Sequence, residues 1–236
     1  MVSRRRIAII PARGGSKRLP RKNVLEFGGR PMLAWSVEAA LQSRAFDRVI
    51  VSTEDSDIAR LAVSAGAEVP FLRKDFYDDV TPVSTVTIAT LDQVRKTLSE
   101  QYETVVQLMA NCPLRRANDI NAALEAFDAA AAQFQISCVR FDWRNPWWAF
   151  KRDSAGAGEW LFEDAPQRRS QDLPQLYCPT GAIWVADTTA LEREGTFYGP
   201  GHRFEPIDWH SAVDIDDAED LAFARAVLQM RRNDQN

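Results

Sequence analysis

The feature that most constrains this chain is its regular alternation of short apolar runs with segments of helical periodicity. The runs Arg6–Pro11, Arg48–Thr53 and Thr104–Met109 have the length and the β-branched content of buried strands. Between them, Pro31–Ser43 and Val83–Leu98 repeat apolar residues at helical spacing. Strands that alternate with helices form parallel sheets joined by crossover helices. The sequence therefore predicts a Rossmann-like, three-layer α/β/α fold with a mostly parallel sheet.

The remaining predicted elements continue this pattern, apart from one interruption. They are Asp57–Ala65 (helix), Glu68–Leu72 (strand), Asn118–Ala132 (helix, capped by Asn118), Gln135–Phe141 (strand), Gly181–Ala186 (strand) and Asp217–Met230 (helix). Between 142 and 180 the periodicity breaks, and Trp residues are interleaved with Arg, Lys, Pro and Gly. We expect residues 1–236 to form a single domain. Residues 142–180 are expected to be a hairpin-like extension that covers a site or packs on a partner subunit.

Composition and charge argue against several classes of protein. The 236 residues carry 29 basic and 33 acidic side chains, a net charge of −4, which disfavours a nucleic-acid-binding surface. No apolar run approaches the roughly 20 residues of a membrane helix. Cys112, Cys138 and Cys178 are widely spaced and form no CxxC pair. A disulfide framework or a structural zinc site is therefore not expected, and a cytoplasmic location is predicted.

A basic, glycine-containing loop follows the first strand, where open α/β sheets bind their ligands. Gly14 and Gly15 permit tight turns and close approach of the backbone, and Ser16 can donate a hydrogen bond. Ten residues contain five cations, namely Arg13, Lys17, Arg18, Arg21 and Lys22. A polyphosphate is the natural counter-charge, and a solvated basic loop is the alternative. The loop matches neither GxxxxGK[ST] nor GxGxxG.

An acidic segment precedes the last predicted helix. Asp214 and Asp216 alternate about Ile215, so an extended backbone points both carboxylates to one face. Paired carboxylates suit Mg²⁺, with Mn²⁺ as a second candidate ion. The alternative is that all five acids between 214 and 220 only cap the helix. A polyphosphate-type loop in the same chain favours a magnesium–nucleotide site.

A third candidate is the loop Asn111–Arg115, after the strand that ends at Met109. It is equally consistent with a binding loop and with a structural turn. Cys112 could act as a nucleophile only with His202 or His210, and no sequence spacing supports that pairing.

The stretch Ile9–Asn23 closely resembles the signature loop of acylneuraminate cytidylyltransferases. These are the CMP-sialic acid synthetases and their bacterial relatives for legionaminic and pseudaminic acids. The resemblance continues in order through Phe46–Thr53, Pro113–Arg115, Arg169–Pro174, Gly181–Ile183 and Val213–Asp216. It implies a nucleotidyltransferase fold and a homodimer that the extension supports. It also implies a reaction in which the anomeric hydroxyl of a nonulosonic acid attacks the α-phosphorus of CTP, releasing pyrophosphate.

The resemblance implies roles for individual residues. The implied triphosphate contacts are Arg13, Lys17 and Lys22, the nucleotide contacts are Asn23 and Arg73, and the Mg²⁺ ligands are Asp214 and Asp216. Arg169 matches an arginine near the sugar or the phosphates. The residues expected to carry catalysis are Lys22, Arg13 and Arg169, and the expected nucleotide-binding set also includes Gly14 and Ser16.

The chain departs from the family in three places. It has Met109-Ala-Asn-Cys-Pro-Leu-Arg115 where the sialic acid enzymes usually have Gln-Pro-Thr-Ser-Pro-Leu-Arg, and Cys178-Pro-Thr-Gly181 where they tend to have Arg-Pro-Asn-Gly. In the extension, we expect an aromatic residue near Trp148 to replace a basic residue of the family. We interpret all three as changes on the sugar side. The alternatives are therefore activation of another acidic sugar, such as a 3-deoxy-octulosonate, a nucleotide-sugar glycosyltransferase, and a nucleotide-binding protein without turnover.

Overall fold

A computed structural model of the chain describes residues 4–78, 80–141 and 145–233. The strands are β1 (Arg6–Pro11), β2 (Glu26–Phe27), β3 (Arg30–Pro31), β4 (Arg48–Ser52), β5 (Thr104–Gln107), β6 (Phe134–Arg140), β7 (Phe150–Arg152), β8 (Gly158–Trp160), β9 (Tyr177–Asp187) and β10 (Arg203–Pro206). The helices are α1 (Met32–Ser43), α2 (Ser56–Ser64), α3 (Val83–Leu98), α4 (Ala117–Ala129), α5 (Thr188–Glu194) and α6 (Ala218–Asn233). None of the helices in these ranges is long and apolar enough to span a membrane.

Six strands form the central sheet, in the order β10-β6-β9-β5-β1-β4. β1 runs parallel to both β4 and β5, and Ile9 lies opposite Ile50 on one side and Gln107 on the other. β10 is parallel to β6, whereas β9 is antiparallel to both of its neighbours. The predicted mostly parallel sheet is confirmed. The carboxyl ends of β1, β4 and β5 consequently reach the same edge, where such sheets bind ligands.

Helices cover both faces of this sheet. Ala8 and Ile10 of β1 belong to one buried cluster, with residues of α1, α2 and α4. Ile7 and Ile9 belong to a second cluster, with residues of α3 and α5. Successive side chains of a strand point to opposite faces, so the two clusters are the two layers of core. The predicted three-layer arrangement is therefore confirmed.

A third cluster attaches the last helix to the segment after β1. Phe27 of the β2–β3 hairpin and Met32 pack with Leu221 and Leu228 of α6. This packing positions α6, and with it the acidic segment that precedes the helix.

Several predicted elements differ from the structure. Glu68–Leu72 is not a strand. Glu68 forms a single bridge with Ile50, and Pro70 lacks the N–H that a longer ladder would need. Helix α4 begins at Ala117 rather than at an Asn118 cap, and it ends at Ala129. The strand β10 and the helix α5 were not expected from the sequence.

The interruption after β6 contains a short hairpin, as predicted, formed by β7 and β8. Phe150 and Trp160 contact each other edge to face across it and are 51% and 43% exposed. Trp147 packs against Phe162 and donates to the carbonyl of Pro174. Residues 142–144 of the predicted extension lie outside the described residues, and 177–180 belong to β9.

Candidate active site

The loop after β1 is held at the sheet edge by its own hydrogen bonds. The buried side chain of Asn23 donates from Nδ2 to the carbonyl of Arg13 at 2.8 Å. The N–H of Gly14 donates to Oε1 of Glu54 at 2.7 Å, and the N–H of Ser16 donates to the carbonyl of Gly14 at 3.1 Å. Four of the predicted nucleotide-binding residues therefore lie together at the carboxyl ends of β1 and β4.

Gly14 is required by a close approach to helix α2. A Cβ at Gly14 would lie 2.5 Å from Oδ2 of Asp55. Asp55 cannot easily move, because it caps α2 by accepting from the N–H groups of Asp57 and Ile58. Arg21 pairs with both Asp55 and Asp57. Arg21, one of the five loop cations, therefore fixes the loop to α2. The number of cations in the loop is for this reason weaker evidence for a polyphosphate ligand than the sequence indicated.

Arg73 is a buried cation beside the same loop. Its Nη2 lies 3.0 Å from Oε2 of Glu54, the carboxylate that accepts from Gly14. Burial lowers the pKa of Arg73, the negative charge of Glu54 opposes this, and the nearby charge of Arg13 lowers it further. Glu54 thus connects two predicted site residues, although it was not predicted itself. Its position directly after the strand Arg48–Thr53 was the signal that could have identified it.

The basic loop meets the acidic segment through Lys22. The Lys22 Nζ lies 2.8 Å from Oδ1 of Asp216, and the guanidinium of Arg18 pairs with Oδ2 of the same carboxylate. The Lys22 side chain is mostly buried, whereas that of Arg18 is mostly exposed. The fold therefore brings together two site residues that were predicted from separate motifs.

Two of the five acids cap the last helix. Asp217 accepts from the N–H groups of Glu219 and Asp220 at 2.9 and 3.0 Å. Asp220 in turn accepts from the N–H groups of Asp216 and Asp217 at 2.9 and 3.1 Å. This reciprocal arrangement is a capping box. The side chains of Asp214 and Asp216 take no part in it, so the cap explains only some of the acidic segment.

Asn111 connects the acidic pair to the loop after β5. Its Nδ2 donates to Oδ1 of Asp214 and, at 3.1 Å, to Oδ1 of Asp216. Its backbone carbonyl accepts from the N–H of Ile215 at 2.9 Å. Asn111 was predicted only as part of a possible binding loop. Asn111 belongs to a segment that differs from the family pattern, a difference interpreted above as lying on the sugar side. In the structure this residue contacts the acidic pair instead.

The two carboxylates have different proton affinities. Burial raises the pKa of Asp214 to about 6, the negative charge of Asp216 adds to the increase, and the charge of Lys22 opposes it. Burial also acts upward on the pKa of Asp216. The hydrogen bonds and charges of Lys22 and Arg18 outweigh it, so the pKa of Asp216 is lowered. The negative charge of Asp216 is thus well compensated by neighbouring cations, whereas that of Asp214 is poorly compensated.

This donor set fits a hard divalent cation. Oxygen ligands are those that Mg²⁺ prefers, and it usually takes one or two protein carboxylates together with phosphate oxygens. The described ranges contain no group of three or more His, Cys, Asp and Glu side chains that could hold a metal ion. Asp214 and Asp216 offer two such carboxylates side by side.

The chain's sequence matches a family model described as cytidylyltransferase over residues 7–147, which is more than half of its length. The chain belongs to the cytidylyltransferase family. It is 31% identical over 224 residues to the pseudaminic acid cytidylyltransferase of Campylobacter jejuni, covering 95% of this chain and 96% of that protein. It is 30% identical over 234 residues to the CMP-N,N'-diacetyllegionaminic acid synthase of Legionella pneumophila, covering 96% and 97% of the two chains.

A solved structure supports the fold. CMP:2-keto-3-deoxy-manno-octonic acid synthetase complexed with CTP superposes with a TM-score of 0.70 at 17% identity, covering 96% of this chain and 99% of that one. The predicted family and nucleotidyltransferase fold are both confirmed.

Two further residues predicted from the cytidylyltransferase resemblance are largely exposed. Arg169 sits in the extension, where its guanidinium pairs with Asp172 and its side chain is 73% exposed. Lys17 lies exposed on the loop after β1. Their predicted roles remain predictions.

Cys112 lies in an environment that disfavours a nucleophilic thiolate. The residue is fully buried, and burial raises the pKa of its thiol far above its ordinary value, with the negative charge of Asp214 adding to the increase. A thiolate is the reactive form, so such an environment keeps a cysteine inert. The rings of His202 and His210 bond instead to the carbonyl of Gly199 and the carboxylate of Asp208. The structure therefore gives no support to the Cys–His arrangement that the sequence left open.

Proposed function

We propose that this chain transfers CMP from CTP to the anomeric hydroxyl of a nonulosonic, sialic-acid-like sugar, giving CMP-sugar and pyrophosphate. The observation that carries the proposal is the contact between Lys22 of the loop and Asp216 of the acidic pair. It joins a cationic loop and a candidate metal site at one edge of the sheet. The end-to-end similarity to relatives named for pseudaminic and legionaminic acids supports this acceptor class.

Phosphoryl-type transfer depends on positioning and charge neutralisation more than on a covalent residue. In our proposal Arg13, Lys17 and Lys22 hold the triphosphate, and the N–H groups and hydroxyl of the Gly14–Ser16 turn contact its oxygens. Bound Mg²⁺ would supply charge neutralisation at the phosphates, and Mn²⁺ could replace it. Asp214 and Asp216 orient that ion.

The base and the sugar take separate parts of the site in this proposal. Asn23 and Arg73 contact the nucleotide, and cytosine is preferred over other bases. A Cβ at Gly181 would lie 3.1 Å from Cγ of Met109 and 3.7 Å from Oδ2 of Asp214. Met109, a position at which the chain departs from the sialic acid enzymes, thus lies against Gly181, which itself adjoins Asp214, and this supports an acceptor site beside Asp214.

The extension serves a homodimer in our proposal. We propose a single domain, 1–236, whose exposed hairpin packs on a second copy and acts as a lid. Arg169 then reaches the sugar or phosphates bound by the partner. The three cysteines are all free, in agreement with the proposed cytoplasmic location.

Pyrophosphate release from CTP tests the proposal. The purified protein would be incubated with CTP, Mg²⁺ and one acceptor at a time: a pseudaminic, a legionaminic and an N-acetylneuraminic acid, and a 3-deoxy-octulosonate. We expect acceptor-dependent pyrophosphate and a CMP-sugar with at least one nonulosonic acid. Asp216→Asn should lose this activity, and the matched variant Asp92→Asn, on the exposed face of α3, should keep it.

Other outcomes would each identify a rival. Preference for the octulosonate would select the other acidic sugar. Sugar transfer from a nucleotide sugar without pyrophosphate would select a glycosyltransferase. Binding of CTP without turnover on any acceptor would select a protein that only binds nucleotide.

A further inference from the structure

The amide of Asn111 contacts both carboxylates of the candidate metal site. Its Nδ2 bonds to Asp214 and Asp216, while its Oδ1 is buried and has no hydrogen-bond partner within the described structure. Buried amide oxygens without a partner are rare, and leaving one unsatisfied destabilises the folded state. The amide is thus only partly satisfied, because Nδ2 donates two hydrogen bonds while Oδ1 accepts none.

Rotation of the amide by a half-turn exchanges these two ends. The rotation about the terminal torsion leaves the backbone unchanged and brings Oδ1 to the position now held by Nδ2. Three oxygens would then face one another, which is unfavourable unless a cation lies among them. With a divalent cation the rotated amide becomes the better arrangement, since carboxylate and carbonyl-type oxygens are the ligands that Mg²⁺ and Mn²⁺ prefer.

The positions of the three side chains suit such a set. The Asn111 amide nitrogen lies 3.1 Å from Oδ1 of Asp216. Neighbouring oxygens around an octahedral Mg²⁺, with bonds of about 2.0–2.1 Å, lie roughly 2.9 Å apart. The hydrogen bond from Ile215, which lies between the two acids, to the Asn111 carbonyl fixes this residue against the pair. Asn111 therefore needs no backbone movement to act on a shared ion.

We propose that Asn111 is a third protein ligand of the divalent cation, through Oδ1 of the rotated amide. The inference rests on the proposed function for the presence of a metal at Asp214 and Asp216. It goes beyond that function by assigning an amide oxygen from the loop after β5. In the metal-bound form, Asn111 would link the loop after β5 to the acidic segment through the ion. In this structure, its Nδ2 makes this link by direct hydrogen bonds.

Binding of Mn²⁺ to the whole protein, followed by electron paramagnetic resonance, tests this assignment without turnover. Asn111→Leu removes both amide atoms at similar size and should weaken Mn²⁺ binding by roughly 10-fold or more, because loss of a residue that only hydrogen-bonds to a metal ligand already costs about 10–100-fold. Asn111→Asp keeps an oxygen and adds charge, so its Mn²⁺ affinity should equal or exceed that of the unsubstituted chain. Asn118→Leu, at an exposed position of α4, is the matched control and should bind Mn²⁺ normally.

A second measurement separates ligation from folding. The thermal unfolding curve of Asn111→Leu, and its CTP affinity in the presence of chelator, should stay near those of the unsubstituted chain. Loss of fold in Asn111→Leu would leave Asn111→Asp as the deciding variant, and weaker Mn²⁺ binding there would overturn the proposal. Unchanged Mn²⁺ affinity in Asn111→Leu would overturn it as well.

Failure of the proposed function gives a different pattern. In one case no nonulosonic acid yields pyrophosphate, yet Mn²⁺ binds and Asp214→Asn weakens that binding. The proposed transfer reaction is then wrong, but the Mn²⁺ affinities of the Asn111 variants still decide the ligand assignment. If the unsubstituted chain binds no Mn²⁺, with or without CTP, the ligand assignment is wrong.

Discussion

The ammonium group of Lys22 lies 2.8 Å from a carboxylate oxygen of Asp216, although 194 positions separate the two residues along the chain. The contact ties the loop after the first strand to the segment before the last helix. Any ligand that draws Lys22 toward phosphate oxygens must weaken this pair, and a cation bound at Asp216 would compensate the carboxylate. Nucleotide and metal binding should therefore support each other.

Lys22→Ala should reduce kcat/KM for CTP by about 10–150-fold. Hydrogen bonds to charged groups contribute about 1.5–3 kcal/mol each, and the substitution also leaves Asp216 less compensated. Steady-state kinetics at saturating acceptor would measure the change. Lys96→Ala is the control, because Lys96 is an exposed lysine that pairs with Asp92 on α3. Equal kinetics for Lys22→Ala and the unsubstituted chain would contradict the loop assignment.

Asp214→Asn should stabilise the fold at high pH while abolishing activity. The folded protein binds the Asp214 proton more tightly than the unfolded chain, since burial raises the pKa from 3.8 to about 6. The carboxylate therefore destabilises the fold increasingly as pH rises from about 4 to about 6. Above about pH 6 this destabilisation has reached its full size. Asp214 is exposed at one side, so solvent screening keeps this destabilisation below what the pKa shift alone would give.

Urea unfolding at about pH 8 and about pH 4.5 checks the sign. At the higher pH, Asp214→Asn should be more stable than the unsubstituted chain. At the lower pH, the difference in stability between the two proteins should be smaller. A variant that is equally destabilised at both pH values would show that Asp214 is not held in an unfavourable charged state.

Gly14→Ala should destabilise the protein, whereas Gly15→Ala should not. The added Cβ at Gly14 would meet Oδ2 of Asp55 at 2.5 Å, and at Gly15 it would meet nothing within 4 Å. Overpacking of this kind costs typically about 1–3 kcal/mol, and Asp55 is held by its cap and by Arg21. Chemical unfolding of the two variants provides a paired comparison. Similar stabilities would mean that the loop relaxes away from α2.

Phe150→Asp should convert a dimer to a monomer without unfolding it. Phe150 and Trp160 form an exposed apolar pair on the hairpin, so a second copy that covers them would have to bury the new carboxylate, at a cost of several kcal/mol. Sedimentation velocity would report the state. Phe223→Asp, on α6, is the control, since Phe223 is also exposed but lies outside the extension. A monomeric unsubstituted chain at high concentration would remove the dimer proposal.

Trp147 is a poorer site for that test. It packs on Phe162 and donates to the carbonyl of Pro174 within the same chain. Its substitution would disturb the extension itself, so a monomer produced in this way would not distinguish a lost interface from a damaged fold.

Local patterns in the sequence determined most of the elements. β1 spans Arg6–Pro11 and α3 spans Val83–Leu98, both as predicted, because an apolar run and a helical period are properties of neighbouring residues. The loop after β1 and the alternating Asp214 and Asp216 were recognised for the same reason. The family resemblance then connected these two motifs to one reaction.

Tertiary structure decided what depends on partners far along the chain. The antiparallel direction of β9, the pairing of β10 with β6, and the single bridge at Glu68 follow from which strand lies next to which. The division of the acids between a helix cap and a site also required the fold. Asp217 and Asp220 bond to neighbouring backbone, whereas Asp214 and Asp216 bond to Asn111 and Lys22, about 100 and 200 residues away.

The roles of the cations were divided in the same way. Arg21 and Lys22 are adjacent and alike in charge, yet Arg21 pairs with the acids that begin α2 and Lys22 pairs with the acidic segment. A side chain's charge is written in the sequence, but its nearest counter-charge depends on how the chain folds. Composition could therefore predict an anion-binding loop, and only the packed structure shows which of its cations another element already holds.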